Sequence, residues 1–359
     1  MQLWTHSVAA PRSIGRTAAA AETAGWDGLC VVDSQNVSGD CFVTLAVAAQ
    51  TTQSLGLGTA VGNSVTRTAA VNATAALSVH TVSNGRMVLG MGRGDSALAH
   101  LGRAPARLKQ FETHLQHLQR YLRGQDVPFD EIAIGDDAAP AVAELELVSG
   151  PDASRIAWHL RGPSVLPKVL VEVAATGPRV IQIAALHADR IMFALGAEPE
   201  RIAWGIETAR NARKAAGLDP DALSYGAYVN CVCHPDIDQA RTLIRGAVSI
   251  FARFSVLHGQ PIGPASDQTR QSLNALHDAY DMRTHARNES PQAATLTTEF
   301  IDQFGVVGPP ERCIERLKHL EMLGLDKVLI AASFQLAESE QGRQSSTLFE
   351  REVLPEFNG

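Results

Sequence analysis

Apolar residues recur along this chain in two alternating rhythms. Short apolar runs such as Leu29-Cys30-Val31-Val32 read as strands buried on both faces, and longer stretches of helical period separate them. The runs predict strands at Gln2–Ser7, Gly28–Asp33, Leu55–Val61 and Arg86–Met91, then at Lys168–Val173, Arg190–Phe193, Tyr225–Cys233 and Lys327–Ala332. Helices are predicted at Ser13–Gly25, Phe42–Gln53, Ala69–Thr81 and Arg107–Arg123, then at Arg179–His187, Pro199–Gly217, Ile237–Phe254 and Glu311–Leu323. Strands separated by helices call for a parallel sheet, and eight of them favour a closed (β/α)8 TIM barrel over an open doubly wound sheet.

Two segments break the rhythm. Within Gly124–Pro167, the runs Ala143–Val148 and Arg155–Leu160 flank Ser149-Gly150-Pro151-Asp152, a pattern that predicts an inserted β-hairpin. From Gly259 to about Thr297 the chain is polar and irregular, a candidate mobile lid. The expectation is therefore one barrel domain over residues 1–359, with an excursion around 124–167 and a lid around 259–297.

Composition narrows the function classes. The hydrophobic share of 45% supports a large core, and a formal charge of -7 argues against a nucleic-acid or anionic-membrane partner. No twenty-residue apolar run marks a membrane span, and MQLWTHSV is strand-like rather than leader-like. Five scattered cysteines suit a reduced, cytoplasmic setting. Cys231 and Cys233 share one face of a strand and are read as packing. His114 and His117 lie near one face of a helix without a third ligand, so solvated histidines are expected and no metal site is assigned.

Candidate chemistry gathers where strands end. His6 closes the first strand. Asp33 closes the second, either facing a ligand or capping the next helix. The third runs into Gly62-Asn63-Ser64, and the fourth into Gly92-Arg93-Gly94-Asp95-Ser96. There a guanidinium between glycines can fork onto a phosphate, or pair with Asp95 as an ordinary loop ion pair. Ala174-Ala175-Thr176-Gly177-Pro178-Arg179 joins a buried strand to a helix start. It reads equally as an anion cradle and as a plain capped helix. Hydrolase signatures and HExxH are missing, which leaves a bound cofactor to carry the difficult chemistry.

Over almost its full length the sequence resembles the luciferase-like flavin and deazaflavin oxidoreductases, the group of bacterial luciferase, alkanesulfonate monooxygenase and methylenetetrahydromethanopterin reductase. The resemblance rests on GTAVGNSVTR, NGRMVLGMGRGDSALAHLGR, VAATGPRVIQIAA, GAYVNCVCH and FGVVGPPERCIERL, in that order. It implies a TIM barrel with the cofactor ring across the strand ends. Ala60-Val61 would be a non-prolyl cis peptide behind the ring, and Asn63 a ring contact. Arg93 would hold the cofactor phosphate, with Ala175, Thr176 and Gly177 as the second phosphate loop. Many relatives carry a histidine after the acidic residue that ends the second strand, whereas here Ser34 follows Asp33. His6 then becomes the substitute candidate, and His6 or Asp33 the expected proton carrier.

The resemblance implies a monooxygenase that uses reduced FMN, delivered by a separate flavin reductase, to oxygenate a small organic substrate. The alternative is hydride transfer by the deazaflavin coenzyme F-420 to a C=N or C=O substrate. A homodimer or higher homo-oligomer pairing through early helices is also implied, and the lid would shield the reduced ring from water.

Overall fold

The computed structural model describes residues 1–358 apart from 136–137, 159–165, 333–335 and 337–338. Its first half runs β1 (Gln2–Ser7), α1 (Ile14–Ala24), β2 (Gly28–Val31), α2 (Cys41–Thr51), β3 (Gly56–Thr59), β4 (Gly62–Asn63), α3 (Ala69–Val82) and β5 (Met87–Gly92). After α4 (Ser96–Ala99) and α5 (Leu108–Leu122) come β6 (Leu170–Ala175), α6 (Pro178–His187), β7 (Arg190–Phe193) and α7 (Pro199–Ala215). Next are β8 (Ser224–Val229), β9 (Cys231–Cys233), α8 (Ile237–Phe254), α9 (Asp267–Asp278), α10 (Pro291–Ala294) and α11 (Thr298–Phe304). The chain closes with β10 (Val306–Gly308), α12 (Pro310–Met322), β11 (Lys327–Ile330) and α13 (Glu340–Leu348).

Strands β1, β2, β3, β5, β6, β7, β8 and β11 form a closed parallel barrel. β1 pairs with β11 as Gln2↔Lys327, and β3 pairs with β5 as Leu57↔Met87, which leaves no free edge. Outward-facing strand residues such as Leu3, Leu29, Leu57, Leu89 and Val171 pack beneath the helices in the main core. Full burial of each such aliphatic side chain is worth roughly 1.5–3 kcal/mol.

The barrel interior is layered. Trp4 fills the floor, and the glycine backbone of neighbouring strands makes room for it. A Cβ on Gly28 or Gly56 would come within 2.4 or 2.6 Å of the indole. The Lys327 ammonium sits 3.3 Å from the Trp4 ring centroid and reaches both Glu172 oxygens, at 3.0 and 2.8 Å. Arg190 bonds the same carboxylate at 2.5 Å. Lys327 and Glu172 are buried, so their charges survive only because each satisfies the other. Two residues further along the same strands, His6, Ala174 and Leu329 face an open cavity.

Two sequence expectations are corrected here. Among the described residues no inserted hairpin forms: Val142–Leu145 makes a 3-10 turn, and the one pairing described in this region is an antiparallel bridge, Val127↔Ser154. Val142, Leu145, Leu147 and Val148 are all exposed, so their alternation has no apolar surface to register against. The tail of the second run, 159–160, lies outside the described residues. His114 and His117 are buried rather than solvated. His114 Nε2 lies 3.3 Å from Asn72 Nδ2, and His117 Nε2 lies 3.2 Å from Glu131. Burial lowers the His114 pKa to about 4, so its ring stays neutral. Among the described residues no cluster of His, Cys, Asp and Glu is arranged to hold a metal ion.

The polar stretch after Gly259 is substantially helical, with α9 capped by Ser266 and α10 by Ser290.

Candidate active site

A cavity of about 540 Å³ opens over the C-terminal ends of the barrel strands, and every one of the eight contributes to its wall. His6, Val32, Val61, Arg93, Thr176, Ala194, Tyr228 and Ala331 are the contributors, taken in chain order. Small side chains (Ala60, Gly92, Ala174 and Ala194) leave a flat floor. Phe251 and Phe254 of α8 and Ile262 form an apolar wall, and His285 and Ala286 lie on the inserted segment.

The floor depends on close backbone approach. The Ala60–Val61 peptide is cis. A Cβ at Gly92 would come within 2.7 Å of Val61 Cγ2, so only glycine lets β5 pass behind this bulge.

Arg93 and the loop after β6 are brought to one cavity. Arg93 Nε donates to the Ala106 carbonyl at 2.7 Å, and its two terminal nitrogens have no hydrogen-bond partner among the described residues. The ordinary ion pair with Asp95 is not made, because Asp95 bonds Arg253 of α8 instead. Arg179 adds a second positive charge near Arg93. Beside it, at the end of the neighbouring strand β6, Gly177 is the N-cap of α6 and Pro178 its first residue. Pro178 has no N–H and Val180 N donates to the Gly177 carbonyl at 3.0 Å, so within the first turn the Arg179 N–H and the positive end of the helix dipole are what this helix start offers an anion. Thr176 also lines the cavity, with its hydroxyl donated to the Ala194 carbonyl at 3.3 Å.

Other candidates sit differently. Ala175 is buried in the main core between sheet and helices, and its neighbours Ala174 and Thr176 face the cavity. Asn63 is buried with its Oδ1 turned back onto its own elbow, accepting from Val65 N at 3.0 Å and Thr66 N at 2.9 Å. It shapes the loop under the floor rather than lining the cavity. Asp33 borders the cavity, but Arg67 bonds its Oδ2 at 2.6 Å and Gln35 its Oδ1 at 2.6 Å. Arg67 also holds Asp40 at 2.7 Å, and Asp40 is the residue that caps α2. This saturated carboxylate is an anchor, poorly placed to carry a proton. His6 faces the cavity with Nδ1 3.1 Å from the Ile330 carbonyl. Burial pushes its pKa below the usual histidine range, against the opposing effect of the Ile330 and Ala332 backbone, which keeps it neutral near pH 7.

Sequence reasoning missed a polar cluster on the roof. Arg253 stacks 4.6 Å from the Tyr280 ring centroid, Tyr280 Oη lies 2.8 Å from His285 Nδ1, and Ser96 Oγ lies 3.3 Å from His285 Nε2. These residues come from three separate segments, and no local spacing announces them. Among the large aromatics, Tyr228 and Phe254 line the cavity. Trp4 plugs the floor, Phe193 stacks on Tyr225 in the outer core, and Trp158 is exposed.

A flat floor of small residues, a cationic group with free donors and a helix start beside it fit a ring-bearing phosphate ester such as a flavin or deazaflavin nucleotide.

The chain is 24% identical over 321 residues to a 5,10-methylenetetrahydromethanopterin reductase of Methanolobus tindarius, covering 88% of this chain and 89% of that one. Its fold matches the coenzyme F-420 dependent tetrahydromethanopterin reductase of Methanopyrus kandleri with a TM-score of 0.71, at 18% identity and 99% coverage of both chains. It also matches an F-420-dependent secondary alcohol dehydrogenase in complex with an F-420–acetone adduct, with a TM-score of 0.69, at 16% identity and covering 99% of this chain and 98% of that one. The description of the luciferase-like monooxygenases fits residues 2–327, and with the closed barrel and its strand-end cavity this places the chain in the luciferase-like monooxygenase family.

Proposed function

We propose that this protein is an oxidoreductase that uses the deazaflavin coenzyme F-420 to transfer hydride to or from a small C=O or C=N compound. The observation that carries the reading is the full-length similarity to a methylenetetrahydromethanopterin reductase, together with an arginine whose donors point unpaired into the cavity. This reverses the order of preference drawn from sequence, where reduced FMN, oxygen and a partner flavin reductase came first. The family's monooxygenase members keep that chemistry as the second reading.

In the proposed complex the deazaflavin supplies a hydride-accepting and hydride-donating ring carbon. The chain's own residues do the rest. Arg93 and the α6 start hold the phosphate, and the Ala60–Val61 bulge and Gly92 set the ring plane. The Phe251–Phe254 wall and the segment around 259–297, acting as the lid of a single barrel domain, keep water away. Fluorescence quenching with purified protein tests the reading: F-420 is expected to bind at micromolar concentration. Binding of FMN alone returns the oxygenase reading, and binding of neither removes both.

A homodimer is part of the same proposal. Val43 and Val47 on α2, Val71 on α3, and Val37 and Val65 in the adjoining loops are exposed, leaving an apolar face uncovered. Sedimentation equilibrium is expected to give twice the chain mass, and a monomer at micromolar concentration would refute the pairing. Among the described residues no helix is long and apolar enough to cross a membrane, which is compatible with a cytoplasmic enzyme.

A further inference from the structure

We propose that Ser96 binds the electronegative atom of the substrate's C=O or C=N group, with its hydroxyl aimed into the cavity by His285 and Tyr280 as positioning residues. The inference rests on the hydride-transfer reading of the same cavity.

One fixed charge favours a direction for each hydrogen bond of the cluster. Arg253 lies over the Tyr280 ring and approaches its phenolic oxygen. A guanidinium only donates, so its charge favours a phenol that turns its lone pairs toward Arg253 and its own proton toward His285 Nδ1, 2.8 Å away. With Nδ1 accepting, the neutral ring carries its proton on Nε2 and gives it to Ser96 Oγ at 3.3 Å. The ring is neutral because burial, with help from Arg253 and His100, lowers its pKa to about 4. The Ser96 oxygen is thereby used as an acceptor, and its own proton is left for a partner inside the cavity that Ser96 and His285 both line.

Other polar groups line the same cavity. Thr176 has given its proton to Ala194, Asp33 is saturated by Arg67 and Gln35, and His6 is engaged with the Ile330 carbonyl. Arg93 is assigned to the cofactor phosphate, and Ser34, Tyr228, His100 and His258 also belong to the polar lining. The cavity as a whole is lined largely by apolar side chains, so a carbonyl or imine that enters without a donor loses its solvation uncompensated. A ligand with an acceptor atom should therefore be preferred over its hydrocarbon twin.

The experiment compares cyclohexanone with methylenecyclohexane, which has the same shape but no acceptor. Binding is measured calorimetrically on the full chain, alone and with oxidised F-420. Wild type should prefer the ketone by about 10-fold, and Ser96→Ala, with an unchanged melting temperature, should abolish the preference. His285→Leu should reduce it while leaving the hydrocarbon's affinity unchanged. Nitrogen-15 histidine spectra give a readout independent of affinity: His285 should show a protonated Nε2 and a bare Nδ1, and the Nε2 signal should move on adding ketone to wild type but not to Ser96→Ala. Absence of saturable ketone binding, or a preference that survives Ser96→Ala, overturns the proposal. Failure of F-420 to bind while the ketone preference persists counts against the cofactor reading and not against Ser96.

Discussion

The two ends of the barrel are built from the same strands and differ in how their polar groups are used. At the closed end Glu172, Lys327, Arg190 and Trp4 satisfy one another in a dry interior. Two residues along, at the open end, the same strand faces carry His6, Ala174 and Leu329, and Arg93 nearby holds donors with no protein partner. Saturation at one end makes the barrel rigid. Unsaturation at the other leaves directed bonds for a ligand, which is the usual division between the two faces of this fold. Stability and binding should then respond to different substitutions.

The largest effect is expected at the closed end. Glu172→Gln keeps the shape but strands the Lys327 ammonium and leaves Arg190 without its carboxylate. Urea unfolding should show a loss of about 3–5 kcal/mol. Adding Lys327→Met should recover much of it, since a buried pair exchanged for apolar volume is often neutral. A loss below about 1 kcal/mol would mean that water reaches the floor and that the contrast between the ends is false.

Arg93→Ala should do the reverse. F-420 affinity is expected to fall by roughly 1.5–3 kcal/mol, the worth of a charge-assisted bond, with unfolding stability changed by less than about 0.5 kcal/mol. Equal affinities for wild type and variant would remove Arg93 from the anion site. A large loss of stability would show that its bond to Ala106, and not a ligand, is what the guanidinium serves.

How much of this was legible in the sequence follows the same division. The strand and helix rhythm predicted the barrel because burial on both faces of a parallel strand leaves an unmistakable apolar run, and Arg190–Phe193 and Ile237–Phe254 agree to the residue with the observed elements. That Arg93 and Gly177 line the cavity was legible, because glycine beside a donor at a strand end has a local signature, while their role toward a ligand is part of the proposal. Side-chain direction was harder. Strand alternation alone would have turned Ala175 away from the cavity, once Ala174 or Thr176 was known to face it. The side-chain directions of Asn63 and Asp33 could not be read, because their partners Thr66, Gln35 and Arg67 are fixed by the folded loops; Asp33 nevertheless borders the cavity, as a strand-end carboxylate was expected to. The roof cluster was illegible for a related reason: Ser96, Arg253 and His285 meet only through the tertiary fold. The failed hairpin shows the opposite error, in which a local alternation was read without asking what would cover it.

The smallest effect concerns pH, and the two ends should differ in sign. Glu22, at the closed end, accepts N–H bonds from Gln53, Ser54 and Leu55 in the loop entering β3. Desolvation opposes ionisation there, but the Ser54 and Leu55 bonds outweigh it and hold the carboxyl at about 2, against an ordinary 4.5. A depressed carboxyl stabilises the fold above its unfolded value and loses that contribution as pH falls from about 4.5 toward 2. Glu22→Gln should therefore melt slightly below wild type at neutral pH, with the two curves converging near pH 2. Asp95, at the open end, is pushed above the usual carboxylate range by burial, against the pull of Arg253. Its ionisation costs stability as pH rises through that range, so the difference between Asp95→Asn and wild type should shift in the variant's favour with rising pH. Parallel pH slopes for the two variants would show that the ends do not differ in the way their charges are solvated.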